Sequence, residues 1–273
     1  MYLDNTVRLP IAPITDEGMP QDWQAKLFFE ITKSGYTIKT ANSQAEFQQV
    51  LDLRREVFLE EFASNDLSDD SDYESIDNDA DFLMILHGDQ VVASYRLIFS
   101  EHSKNFYSKS EFNVSQFIAR GEKVLELSRA CVRKNCRAGI AIHLLWRGIA
   151  EYMKLSGARY LFGCSSVQTL NVEDVIKIYR YFKQEDILSK DLSISPLSKY
   201  NLINVDAFGS DIEDQDTPLL DGSLVPPLLN AYIKAGAKVY GAPAVDLRFG
   251  CVDFFTVLDF QKLAKPFVRK YVG

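Results

Sequence analysis

Glu126-Leu127-Ser128-Arg129-Ala130-Cys131-Val132, followed at once by Arg133-Lys134-Asn135-Cys136-Arg137-Ala138-Gly139-Ile140-Ala141, is the stretch on which the fold turns. The first seven residues read as a strand, the next as a turn rich in positive charge, and the residues beyond Gly139 as a long amphipathic helix. A turn that opens a helix presents unpaired backbone N–H groups and the positive end of the helix dipole, which favours a bound phosphate. A phosphate-tethered substrate is the occupant this arrangement suits.

The charge around the turn sharpens that reading. The chain has 273 residues and a formal net charge of -8, which argues against bulk attraction to nucleic acid. Yet no acid occurs between Glu126 and Glu151, while Arg129, Arg133, Lys134, Arg137 and Arg147 supply positive charge. An acidic partner would have to be met there, within a Debye length of about 8 Å. The cysteines Cys131, Cys136, Cys164 and Cys251 form no C-x-x-C pair and only three histidines accompany them, so reduced thiols and no metal site are expected. The start of the chain has no secretory pattern, and no run reaches the roughly 20 apolar residues of a membrane span. A cytoplasmic protein is expected. The basic residues Lys262, Lys265, Arg269 and Lys270 among Leu263, Phe267 and Val268 read as a solvated terminal helix, with weak peripheral contact to the inner membrane face as the alternative.

Outward from the turn, the pattern is α/β. Residues 1–24 are aperiodic and read as an arm. Ser43-Gln44-Ala45-Glu46 makes a capping box for a helix whose buried face is Phe47, Val50, Leu51, Val57 and Phe58, ending near Phe62. Eight acids crowd residues 66–81, a composition that reads as a solvated, mobile loop. Phe82–His87 and Val91–Phe99 form a hairpin pattern around Gly88-Asp89-Gln90. Residues 100–122 read as connection with a short helix. Val124–Val132 is a strand and residues 139–156 a helix, with Gly157 where a C-cap belongs. Arg159–Gly163 is the next strand, and Asn171 caps a helix running to about Phe182. Residues 184–223 are polar and long for a loop, so they are a candidate lid. A helix follows Pro226-Pro227 to Ala235, and Lys238–Tyr240 and Asp253–Asp259 complete a partly parallel sheet. A single domain over residues 1–273 is the simplest account.

Taken together, E-L-S-R-A-C-V, the basic turn, L-L-W-R-G-I-A, Tyr160-Leu161-Phe162-Gly163-Cys164-Ser165-Ser166 and Pro227-Leu228-Leu229-Asn230-Ala231-Tyr232 resemble the ornithine-lipid N-acyltransferases of the GNAT superfamily. The resemblance extends to Arg55-Glu56-Val57-Phe58, the acids before Phe82, and Tyr95-Arg96-Leu97. The order R-x-x-V-F, acidic loop, Y-R-L, E-x-S-R is similar also to acyl-homoserine-lactone synthases and long-chain N-acyl amino acid synthases. The resemblance implies a GNAT-like mixed central sheet flanked by helices, with a splayed strand pair, from Glu126 and from Tyr160, that admits a pantetheine arm. It implies transfer of a long acyl chain, with or without a hydroxyl at carbon 3, from acyl carrier protein to an amino acid's α-amine, with ornithine first. No permanently bound cofactor is implied, only acyl-phosphopantetheine or acyl-CoA as co-substrate.

Each residue then acquires a role. A protonated amine needs a base within hydrogen-bond reach before it attacks a thioester, and Glu126 is the candidate. On a regular strand Glu126 and Arg129 face opposite sides. They converge only through a bulge, which would also free an N–H for the tetrahedral oxyanion, so a bulge is predicted between Glu126 and Cys131. Arg96 either pairs with Glu126 or Asp81 or grips the acceptor's carboxylate; Arg129 carries the same two roles. The acyl donor falls to Ala130, Val132, Arg133, Lys134, Arg137, Ala138, Gly139 and Ala141. The usual Q/R-x-x-G-x-G/A turn is altered, because Cys136 stands at its first position. A single phosphate on the carrier protein's arm asks for fewer donors than coenzyme A. Asp77 and Asp81 suit the cationic side chain of ornithine, and Ser128, Cys164 and Ser165 the substrate cleft. The spacing of the acids fails as an EF-hand. Tyr179 is one residue out of register for the superfamily's general acid, and none is assigned. Phe82, Tyr95, Phe162 and Phe255 line an acyl tunnel or pack a core. The alternatives are a homoserine-lactone-type signal synthase, an acyl-CoA-dependent N-acetyltransferase, and a non-catalytic acyl-binding protein.

Overall fold

The computed structural model describes residues 23–62, 72–137, 140–203 and 222–272. Most of the expected arm, acids 66–71, Ala138, Gly139 and the central part of the expected lid lie outside them. In chain order the strands are β1 (Glu30–Lys33), β2 (Tyr36–Thr40), β3 (Asp81–His87), β4 (Gln90–Phe99), β5 (Phe112–Asn113), β6 (Val124–Val132), β7 (Tyr160–Val167), β8 (Leu188–Ser189), β9 (Ser195–Pro196), β10 (Lys238–Asp246) and β11 (Cys251–Asp259). The α-helices are α1 (Gln44–Arg54), α2 (Ser115–Ile118), α3 (Ala141–Ser156), α4 (Val172–Gln184), α5 (Pro227–Ala235) and α6 (Lys265–Phe267). The chain divides into two compact units.

The first unit takes its described residues from 23–107, 123–161 and 265–272. Its strands lie in the order β1-β2-β3-β4-β6, each antiparallel to its neighbour. Helix α1 begins as its sequence dictates: the Ser43 hydroxyl accepts a hydrogen bond from Glu46 N, while Glu46 Oε2 accepts from Asn42 N at 2.7 Å. It does not end at Phe62 as an α-helix. It passes at Arg55 into a π-helical stretch, Arg55–Phe62, which shifts the facing of the residues that follow. Trp23 stacks on Phe47 with ring centroids 4.5 Å apart, and both meet Phe82, so these rings form core. Phe82 and Tyr95 are buried.

Helix α3 buries Leu144, Leu145, Ile149, Tyr152 and Met153, the face read from its periodicity, and closes on Gly157 in the left-handed conformation, φ +67°. It packs so tightly on the sheet that a Cβ on Gly148 would stand 2.5 Å from Leu83 Cδ1 and 2.9 Å from Ile38 Cγ2. Any larger residue would have to push those side chains aside. Tyr152 reaches the sheet with its hydroxyl, donating to Asp81 Oδ2 at 2.8 Å. Asp81 also accepts from Lys26 N and Leu27 N, at 2.7 and 3.0 Å. The terminal segment is not merely solvated. Its rings dock on α3, Phe267 edge-on to Trp146 at 4.8 Å and Tyr271 stacked on His143, leaving Lys265, Arg269 and Lys270 exposed.

The second unit takes its described residues from 108–122 and 162–264. Its strand order is β7-β11-β10-β8, with β10 antiparallel to β11 and parallel to β8; β5 and β9 make a separate antiparallel ribbon. Adjacent residues of β11 serve opposite faces, as a period of two requires. Phe254 packs with Val175, Ile178 and Phe182 of α4 and Leu229 of α5. Phe255 joins Phe112, Phe117 and Phe162, at centroid distances of 5.7 to 5.8 Å, so these aromatics too are core. Strand β10 runs past Tyr240, where the expected strand stopped, through a bulge between Tyr240 and Ala244.

Candidate active site

The site grows from an irregularity in β6. Against β4, Leu127 pairs with Leu97 and Ser128 with Arg96, but Cys131 pairs with Ser94. Arg129 and Ala130 therefore stand opposite Tyr95 alone, and Arg129 takes φ +52°. This is the predicted bulge. A left-handed backbone costs a non-glycine residue about 1–2 kcal/mol, so it persists only where the surroundings hold it. Its effect is to turn Arg129 onto the face that Arg96 and Ser128 already share.

On that face three guanidinium groups meet three carboxylates. Arg54 Nε donates to Asp72 Oδ2 at 2.8 Å, and its Nη1 lies 3.0 Å from Asp77 Oδ2. Arg96 Nη1 donates to Glu74 Oε2 at 2.6 Å and to Asp77 Oδ1 at 2.8 Å, while its Nε donates to Ser128 Oγ at 2.8 Å. Arg129 Nη2 donates to Glu74 Oε1 at 2.7 Å, and its Nε lies 3.4 Å from Asp72. Burial alone would push the Glu74 carboxyl up, but Arg129, Arg96 and Arg54 reverse that and hold it at about 2. Cys131, buried beside the cluster, has its thiol pushed up by desolvation and is inert as a nucleophile.

Three expectations change here. The acids of 72–81 are not solvated, since Asp72, Asp77 and Asp81 are buried and partnered. Arg96 pairs with neither Glu126 nor Asp81; its carboxylates are Glu74 and Asp77. Asp77 and Asp81 spend their oxygens inside the protein, on the arginines and on residues 26–27 with Tyr152, which leaves a substrate cation to other groups. The sequence reading missed Arg54, Asp72 and Glu74. The run R-x-x-V-F begins at Arg54, and that was the available signal.

Glu126 is wholly buried and pairs with Ile98 across the ladder. Its Oε2 accepts a hydrogen bond from Tyr107 N at 2.6 Å. The ring of Tyr107 in turn lies under two cations, 5.4 Å from the Arg96 guanidinium carbon and 5.1 Å from that of Arg129. Glu126 thus stands beside the arginine cluster, with Tyr107 between them.

The basic turn is only partly free. Arg133 forms an ion pair with Glu56 and donates to Val91 O, and Arg129 is committed to the cluster, so two of the expected positive charges are satisfied internally. Lys134 and Arg137 are exposed, Arg137 Nε donating to Val132 O at 2.9 Å. The turn contains a short 3₁₀ stretch, Lys134–Cys136, and α3 then starts at Ala141 with no side chain capping it. Ala130 and Val132 are half-buried.

In the second unit Cys164 and Ser165 are half-buried on β7, and Cys164 Sγ lies 3.5 Å from Ser108 Oγ. Tyr179 packs against the α4 core. All four cysteines are free thiols. Glu111, Asp246 and Asp253, all buried, place one carboxylate oxygen each within 4.8 Å of one another, which is the grouping among the described residues with the reach to hold a metal ion. Asp246 Oδ1 accepts from Arg248 N and Phe249 N, and Asp253 Oδ1 from Ser166 Oγ at 2.6 Å. Burial and these three acids push the Tyr200 phenol up to about 12.

Comparison with known proteins sets similar chains beside this geometry. Residues 53–147, which carry the arginines, the acids, Glu126 and the start of α3, match the acetyltransferase (GNAT) domain. An L-ornithine N(alpha)-acyltransferase of Brucella abortus (strain 2308) is 24% identical over 254 residues, covering 86% of this chain and 88% of that one. One from Rhizobium meliloti (strain 1021) is 26% identical over 250 residues, covering 85% and 83%. Among solved structures, an N-acyl amino acid synthase from uncultured soil microbes superposes with a TM-score of 0.47 at 10% identity, covering 83% of this chain and 91% of that one. The mixed α/β fold with a GNAT domain and the acyltransferase class read from the sequence both stand. No helix among the described residues is long and apolar enough to cross a membrane.

Proposed function

We propose that this acyltransferase moves a long acyl chain from a phosphopantetheine thioester to the α-amine of an amino acid, with ornithine the first acceptor to test. The reading is carried by the likeness to L-ornithine N(alpha)-acyltransferases along most of the chain. The geometry suits that chemistry. Glu126 takes a proton from the attacking nitrogen, directly or through one water. An N–H released by the bulge at Arg129–Ala130 stabilises the oxyanion, the electrostatic step on which acyl transfer chiefly depends. Arg129 and Arg96, anchored by carboxylates, hold the shape of the site and, with Ser128, present the face toward which the acceptor's carboxylate is drawn.

The donor's phosphate rests at the uncapped start of α3 and its arm runs beside Ala130 and Val132. Exposed Lys134 and Arg137 meet an acidic acyl carrier protein, which makes the carrier, in preference to coenzyme A, the natural donor. The product of an ornithine acceptor is a lyso-ornithine lipid, and the exposed Lys265, Arg269 and Lys270 favour peripheral contact with an anionic inner membrane face. The test is direct. Purified protein is offered acyl-carrier-protein or acyl-CoA donors with a pool of amino acids, and products are read by mass. N-acyl ornithine from the carrier donor is expected; transfer from CoA alone overturns the donor, and absence of any N-acyl amino acid overturns the reading. Glu126→Gln abolishes product while leaving donor binding intact. Unchanged turnover in that variant removes Glu126 from the mechanism.

A further inference from the structure

The geometry points to Tyr107 as a positioning residue that fixes the Glu126 carboxylate by coupling it to the arginine cluster. The inference rests on the proposed role of Glu126 and concerns a residue that has no place in the sequence motifs. Tyr107 lies 19 residues before Glu126, at the start of a 3₁₀ turn, Tyr107–Ser110. Its backbone and its ring do different things. The N–H donates to Glu126 Oε2 at 2.6 Å, a short bond that sets where the carboxyl group points. The ring is clasped by the guanidinium groups of Arg96 and Arg129 at 5.4 and 5.1 Å.

Short of proline, no substitution removes a backbone N–H, but its position is only as exact as whatever holds its residue. Here the hold is electrostatic. Each cation over an aromatic face is attracted by the ring's quadrupole, and the attraction strengthens with desolvation. Arg96 and Arg129 are themselves immobilised by Glu74, Asp77 and Ser128. A continuous path therefore runs from the acids of 74–77 through two guanidinium groups and one ring to the N–H on Glu126. It also explains why Arg129 is kept at a costly φ: in a regular strand it would leave the face on which Tyr107 lies.

The attraction to the two guanidinium groups uses the π face, which phenylalanine keeps and an aliphatic residue lacks. In the acyl-transfer assay Tyr107→Leu should lose roughly ten- to a hundredfold in kcat, the scale of an ångström's misplacement, with KM for donor and acceptor within about threefold. Tyr107→Phe should keep kcat within about threefold of the parent. A leucine variant with parental kcat, or a phenylalanine variant as slow as leucine, overturns the inference. Should the leucine variant fail to fold, Tyr107→Met, flexible and without a π face, takes its place.

A readout independent of turnover separates this from the proposed function. The infrared carboxylate band of Glu126, identified by its loss in Glu126→Gln, should shift in Tyr107→Leu and stay put in Tyr107→Phe. A band unmoved in the leucine variant overturns the coupling. Turnover surviving Glu126→Gln would defeat the base, whereas an inactive Glu126→Gln beside a fully active Tyr107→Leu would defeat the positioning role alone.

Discussion

Two sets of buried carboxylates, one in each unit, are arranged differently. Asp72, Glu74 and Asp77 of the first unit each meet a guanidinium, so their geometry is shared with Arg54, Arg96 and Arg129. Glu111, Asp246 and Asp253 of the second crowd one another within 4.8 Å, and Asp246 and Asp253 bond to backbone N–H groups and a serine hydroxyl. The first set is a frame in which carboxylates and guanidinium groups interlock. The second set adds to burial, the larger cause, in pushing the Tyr200 phenol and the Cys251 thiol up.

The contrast can be broken by substitution. Arg54→Leu should have the largest effect, because it removes the buried guanidinium that bridges Asp72 and Asp77 and leaves them to Arg129 and Arg96 alone; a loss of about 3–5 kcal/mol in denaturant-measured stability is expected. A loss near zero would mean the cluster is not a frame. Next comes acid. Glu74 is held at about 2, below its ordinary 4.5, so its contribution is fully present above 4.5 and fades as pH falls through 2. Stability followed by pH-dependent unfolding should drop by roughly 3 kcal/mol across that window, and Glu74→Gln should flatten it. Asp246→Asn should have the smallest effect, under about 1 kcal/mol, since the amide keeps the acceptor for Arg248 N and Phe249 N while removing one of three like charges. A cost as large as that of Arg54→Leu would show that the second set is as firmly interlocked as the first.

The same contrast explains what the sequence could tell. Local patterns were legible where the cause is local. The stripe on α3, its Gly157 cap, the Ser43 and Asn171 caps and the extent of β6 follow from periodicity and end chemistry. The bulge at Arg129 was legible for a different reason: Glu126 and Arg129 lie three apart on a strand, and only an extra residue brings them together. The acids of 72–77 misled because a run of like charge reads as solvated when considered alone. Their partners come from positions 54, 96 and 129, and nothing in the run itself announces them. Tyr107 was invisible for the same reason, since its role depends on two arginines and a glutamate from two other strands. Gly241 and Pro243 broke the pattern of β10, whose continuation is held by pairing with β11.

The backbone of Arg129 sets main-chain ease against side-chain anchoring. Glycine would adopt φ +52° without strain, a relief of about 1–2 kcal/mol. The exchange would also remove the guanidinium that Glu74 and Asp72 share and loosen the hold on Tyr107, and breaking a buried ion pair costs about 3–5 kcal/mol. The side chain therefore outweighs the dihedral, and a search for heat resistance that scores backbone strain alone would pick the wrong residue here.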